Sequence, residues 1–197
     1  MHFLSPRRYL RFLLIGLFVS FVFTVAGVQA VPPETKKPAV PEAKSAGDGV
    51  EIRTVKYDDL VKQVKAHQGK VVVVDVWGPS CISCMQEFPN LVRLNKEYKD
   101  KGLDCISVAV ALTDKDSADT SLLFLRKMKA TFPNFWLDEA SDFWTAKWST
   151  SSIPMVFVFD RQGRRVGKWG HEVDKEVDYK GVIEPLVRKL LDEKLAP

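Results

Sequence analysis

Apolar residues in this chain recur at two spacings, and the two alternate along its length. Residues Ile52 to Val55 read as a short strand, and Tyr57 to His67 carries Leu60, Val61 and Val64 at helical spacing with Asp58 as the expected cap. Val71 to Trp77, VVVVDVW, is an apolar run interrupted only by Asp75, the pattern of a strand buried on both faces of a parallel sheet. Met85 to Tyr98 places Phe88, Leu91, Val92 and Leu94 on one helix, and Leu103 to Leu112 is a second buried strand. Ser121 to Ala130 reads as a helix, Phe135 to Leu137 as a short strand and Ser141 to Trp148 as a short helix. Met155 to Phe159, the turn Asp160-Arg161-Gln162-Gly163 and Arg165 to Trp169 predict a hairpin. An amphipathic helix through Val182, Ile183, Leu186, Val187, Leu190 and Leu191 closes the pattern. Strands and helices that alternate and end in an antiparallel hairpin predict an α/β fold with a mixed central sheet flanked by helices.

The start of the chain follows a different rule. Arg7, Arg8 and Arg11 precede an apolar run from Phe12 to Ala26, and Val28-Gln29-Ala30 resembles a small-residue cleavage site. Residues 1 to 30 therefore read as an export signal, with a mature chain beginning near Val31. An uncleaved anchor is the alternative, because Phe12 to Ala30 as a helix spans roughly 28 Å, close to the roughly 30 Å hydrocarbon core. In both cases the arginines stay cytoplasmic and the remainder is exported, to a periplasmic or other extracytoplasmic space. Residues 31 to 50, rich in Pro, Ala and charge, are expected to be a flexible linker, and the folded domain to run from about Glu51 to about Leu195. Residues 1 to 30 hold three arginines and no acid, so setting them aside lowers the net charge from +4 to +1. That balance gives no reason to expect a nucleic acid or an acidic surface as partner.

The chemistry rests on Cys81 and Cys84. A CxxC pair can be a redox dithiol, half of a zinc site or a structural disulfide, and its position helps to separate them. The pair follows a buried strand and opens a helix, so Cys81 is expected near unsatisfied backbone N–H groups that favour a thiolate. Cys84, three residues on, is close enough to attack a mixed disulfide formed at Cys81. Zinc would need two further ligands, and Cys105 falls in a predicted strand while His67 and His171 lack ligand spacing. Two thiolates suit Cu(I) better, and a structural disulfide across so short a loop would restrain the unfolded chain little. No metal site or cofactor is assigned. Asp75 among valines is costly to bury in charged form, so its pKa is expected to rise and its carboxyl to exchange a proton with a nearby thiol. The plainer alternative is an acid at a strand end that reaches water or a lysine. Cys105 reads as a small buried side chain. Trp136, Trp144, Trp148 and Trp169 read as core, with Trp148 alone contending for an exposed role.

Asp75, Trp77, Cys81 and Cys84 reproduce the pattern DxWxxxCxxC, and Ile153-Pro154 stands immediately before an apolar strand. The chain thereby resembles the thioredoxin superfamily, and its spacing and the stretch WLDEASDFW resemble the TlpA/ResA branch of exported thiol-disulfide oxidoreductases. The resemblance covers about Glu51 to Leu195 and implies a thioredoxin-like fold. It also implies roles: Cys81 as nucleophile, Cys84 as resolving thiol, Asp75 as buried proton acceptor, and Trp77 in the wall beside the dithiol. Ile153 and Pro154 would form a cis-proline loop that, with Trp77, binds the substrate chain. The implied partners are cysteine-containing client proteins and a membrane-embedded electron donor, with the domain acting as a monomer and a reductant. A redox-inert binding module or a Cu(I) carrier is the competing reading. Two positions depart from the family habit: Ser83 replaces a proline before the second cysteine, and Ser80 replaces an aromatic residue before the first, where it is expected to cap the helix.

Overall fold

The computed structural model describes residues 43–45, 48–150, 152–170 and 177–193. The expected signal or anchor, His171 and most of the expected linker lie outside them. In chain order the elements are β1 (Ala43–Ser45), β2 (Glu51–Val55), α1 (Tyr57–Ala66), β3 (Val71–Trp77), α2 (Ile82–Tyr98) and β4 (Leu103–Ala109). They continue with α3 (Ala118–Met128), β5 (Asn134–Leu137), α4 (Ser141–Trp148), β6 (Met155–Phe159), β7 (Arg165–Gly170) and α5 (Glu184–Asp192). A π turn, Tyr179–Ile183, leads into α5. Order therefore reaches back into the segment read as linker: β1 pairs antiparallel with β2, and Val50 is buried.

The strands form one mixed sheet in the order β1-β2-β5-β4-β3-β6-β7. β2, β5, β4 and β3 run parallel, while β6 and β7 add antiparallel strands at one side. β3 lies between β4 and β6, and all seven of its residues are buried. Side chains alternate across a strand, so Val71, Val73 and Trp77 share one core with Phe88, Leu91 and Leu125. Val72, Val74 and Val76 join the other core, with Leu60 of α1 and Trp144 of α4. The run of valines is the mark of a strand that must satisfy two apolar faces at once.

Several element ends differ from those the apolar pattern predicts, and polar side chains account for the differences. α1 begins after Lys56 with no side-chain cap, and Asp58 lies inside its first turn. α3 starts at Ala118 because Ser117 and Thr120 form a capping box that hydrophobic spacing does not register. β4 ends at Ala109 instead of running to Leu112, because the Asp116 carboxylate accepts from the backbone N–H groups of Leu112 and Thr113 and curls the chain into a loop. The 160–163 turn forms as predicted: Asp160 accepts from the N–H groups of Gln162 and Arg164, and Gly163 takes the positive φ of 77° that the turn requires.

Asn134 is buried and joins three segments. Its side-chain amide donates to the carbonyls of Glu51, Ala130 and Phe132, and its side-chain oxygen accepts from the Ser107 hydroxyl at 2.8 Å. Asn134→Ala leaves these groups without a partner in a dry site, and a loss of about 1–3 kcal/mol is expected. A lower urea midpoint at unchanged slope is the measurement that checks it.

Candidate active site

Where β3 leaves the sheet the chain must turn sharply. The Cys81 N–H donates to the Gly78 carbonyl at 3.0 Å, and Cys81 becomes the N-cap of α2. A Cβ on Gly78 would stand 3.1 Å from the Val110 carbonyl oxygen and 3.2 Å from Ile153 Cδ1. Glycine thus lets Ile153 pack against the strand exit. The N-cap is Cys81 and not Ser80: the Cys84 N–H donates to Cys81 Sγ at 3.2 Å, while Ser80 donates its hydroxyl to Asp116 at 2.7 Å. Ser80 is drawn away because Asp116, already holding two backbone N–H groups, accepts it as a third donor.

Cys81 and Cys84 are joined by a disulfide, with 5.2 Å between their Cα atoms. Cys81 is 8 % exposed and Cys84 2 %, so the leading cysteine is the less deeply buried of the two. Ser83 Oγ lies 3.5 Å from Cys81 Sγ, and the Ile153 carbonyl oxygen lies 3.9 Å from it. The Ile153–Pro154 peptide bond is cis, and both residues are half-buried. Ile82 (70 % exposed) and Leu112 (44 %) present apolar surface near this point.

Trp77 requires a correction. It is fully buried, with its ring 5.2 Å from Phe88 and 4.9 Å from Phe124, so it supports the core beneath the disulfide and offers no surface to a substrate. Trp148 also sits away from that surface. It packs against Tyr57, Trp144 and Phe157 on the other face of the sheet.

Asp75 is buried, as its place among valines demands, and it does not reach water or a lysine. The Tyr179 hydroxyl donates to its carboxylate across 104 positions of sequence. Tyr179 comes from the π turn before α5, where Asp178 accepts from the Gly181 N–H at 2.7 Å. Sequence reasoning missed Tyr179: no spacing signal connects a tyrosine near the end of the chain to an acid in β3. Cys105 is free and buried, and burial with Asp104 and Asp75 nearby pushes its thiol well above the ordinary range. His67 engages Asp104 at 2.7 Å, and among the described residues no three potential ligands converge on a metal position.

The stretch of chain that carries this site is similar to known proteins. Residues 69–165 fit the family model described as thioredoxin-like. Over these residues the chain is similar to the thioredoxin-like family. Its relatives include the protein DipZ of Mycobacterium bovis, 29% identical over 66% of this chain and 18% of that protein. The thiol-disulfide oxidoreductase ResA of Bacillus cereus is 28% identical over 58% of this chain and 62% of its own length. The chain thus spans less than two thirds of either relative. A thiol-disulfide isomerase structure from Corynebacterium glutamicum shares the fold, with a TM-score of 0.58 at 20% identity over 66% of this chain and 86% of that one. The mixed, helix-flanked sheet expected from the sequence is therefore the thioredoxin-like fold.

Within the thioredoxin-like domain, burial pushes the Asp75 carboxyl up to about 7, opposed by the Tyr179 hydrogen bond and assisted by the negative charge of Glu87. The native state then holds a proton that the unfolded chain releases near pH 4. Stability from this group is full at low pH, falls as pH rises from about 4 through about 7, and is lost above that. Asp75→Asn should flatten this part of the profile. Urea unfolding at pH 5 and pH 8 should show wild type losing more stability between the two than the variant does.

Proposed function

We propose that the domain is an extracytoplasmic thiol-disulfide oxidoreductase that exchanges disulfides with protein cysteines and acts as a reductant. The observation that carries this reading is the seat of Cys81: the less buried cysteine of the pair caps a helix, and its sulfur accepts a backbone N–H at 3.2 Å. In the reduced protein the same donor stabilises a thiolate, the form that attacks disulfides. The sequence of the first thirty residues supports export, and the resemblance supports both the reducing direction and a membrane-embedded donor that returns electrons.

The reaction balances over two steps. The Cys81 thiolate attacks one sulfur of a client disulfide; that S–S bond breaks, a mixed disulfide forms, and the other client sulfur leaves as a thiolate and takes a proton. Asp75 lies on the face of β3 that α2 covers and accepts the proton of Cys84. The Cys84 thiolate then attacks Cys81 Sγ, releases the reduced client and restores the Cys81–Cys84 disulfide. Two electrons pass from the domain to the client. Ile153 and cis-Pro154, against Cys81 Sγ, supply a backbone edge on which an extended client segment can pair.

Cys84→Ser halts the reaction at the mixed disulfide. Under oxidising challenge the variant should accumulate client adducts at Cys81, separable by reduction. Absence of adducts, with one Cu(I) bound tightly by the reduced wild type, would favour the carrier. The midpoint potential of the pair against glutathione decides the direction.

Tyr179 is the positioning residue for Asp75. Its hydroxyl bonds best to the ionised carboxylate and so restrains the rise that burial imposes. The other ionisable groups acting on this pair are Glu87 of α2 and Cys105 of β4. Tyr179→Phe should move the pH midpoint of the resolving step upward by about 1 unit, equivalent to the about 1.4 kcal/mol of one hydrogen bond. In an Asp75→Asn background the same change should leave the profile where it is. A purely structural tyrosine would lower stability without moving the midpoint.

A further inference from the structure

On the sheet face opposite Trp77 and Phe88, α1 and α4 do not close fully over the strands. A cavity of about 450 Å³ remains between them. Val72, Val74 and Phe157 form its floor, and Tyr57, Val64 and Trp148 its walls. The floor side chains are buried, while the walls are half-buried and open toward solvent. The volume falls within the range of small-ligand sites, which are mostly apolar with few charged groups at the mouth.

Charge at the mouth has one sign. Lys65, Lys147 and Arg165 line it, and no described carboxylate forms an ion pair with any of them. Lys147 Nζ lies 5.6 Å from the Tyr57 ring centroid, and the Arg165 guanidinium 5.7 Å from that of Phe157. Two of the three cations therefore stand over the aromatic rings that shape the cavity. The single acid of the lining, Asp160, is already taken by the Arg164 side chain at 2.8 Å and by two backbone N–H groups. An apolar body and an anionic end would satisfy both parts of the site together: the body removes the floor from water, and the end meets cations that no described carboxylate pairs.

We propose that this cleft binds a free, single-chain aliphatic carboxylate, with its alkyl chain on the Val72–Val74–Phe157 floor and its carboxylate between Lys147 and Arg165. The site lies on the other face of β3 from the dithiol chemistry, so occupancy does not require either cysteine.

The test titrates the full chain with dodecanoate and with dodecanol below their aggregation limits, followed by calorimetry. Saturable binding of one dodecanoate per chain is expected, with dodecanol at least about tenfold weaker. A Lys147→Glu, Arg165→Glu double variant should weaken dodecanoate by about tenfold or more, a loss of about 1.4 kcal/mol. Val64→Trp should abolish binding by filling the cavity, and Val61→Phe, a smaller intrusion on the same helix, serves if the first variant fails to fold. Disulfide reductase activity should persist in all these variants. The proposal is overturned by lack of saturable binding, by equal affinity for dodecanol, or by dodecanoate binding that survives both cavity-filling changes. Sedimentation of the protein with anionic phosphatidylglycerol vesicles, without binding of free dodecanoate, would instead assign the face to a lipid surface and overturn it as well.

Discussion

Burial of β3 on both faces is the constraint from which the rest of the domain follows. Seven residues in succession are closed off from water, so the strand can deliver a reactive group to solvent only where it ends. There the chain turns at Gly78 and starts α2 at once, and the first residue able to cap that helix is Cys81. Position at the strand exit gives the sulfur its small exposure. Position at the helix start gives it a backbone donor. The two properties an exchanging sulfur needs, access and charge stabilisation, come from the same turn.

The same burial makes Asp75 unusual. A carboxyl inside a two-faced strand has no route to bulk water, so its ionisation is governed by its few neighbours. Tyr179 offers a hydrogen bond that favours the charged form, while desolvation and Glu87 oppose it, and the balance falls at about 7. Cys105 lies one strand away under the same desolvation but lacks a comparable donor, and its thiol is pushed in the inert direction. Burial raises both groups, and the Tyr179 hydrogen bond restrains that rise at Asp75.

The helical layers treat the two faces differently. In the core that includes the cysteine pair, the rings of Trp77, Phe88 and Phe124 meet one another at tilted or edge-on angles. Away from it, Trp144 is buried whereas Trp148 stands half-open beside the cavity, with Lys168 donating to its carbonyl. The face with the reactive pair is filled by these rings, and the other keeps a cavity.

Alternation of apolar spacing determined by itself that this chain forms a mixed, helix-covered sheet, that Val71–Trp77 is a strand buried on both faces, and that Cys81 and Cys84 open a helix. Those properties are local, because burial period and turn chemistry are written in neighbouring residues. The caps were legible only in part: Ser80 is a good capping residue by type, yet Asp116, thirty-six positions away, takes its hydroxyl. The packing of Trp77 on Phe88 and Phe124, the Tyr179 bond to Asp75 and the gap between α1 and α4 were decided only by tertiary structure. Each depends on how separate elements pack in space, and side-chain periodicity reports which face a residue takes but not what stands opposite.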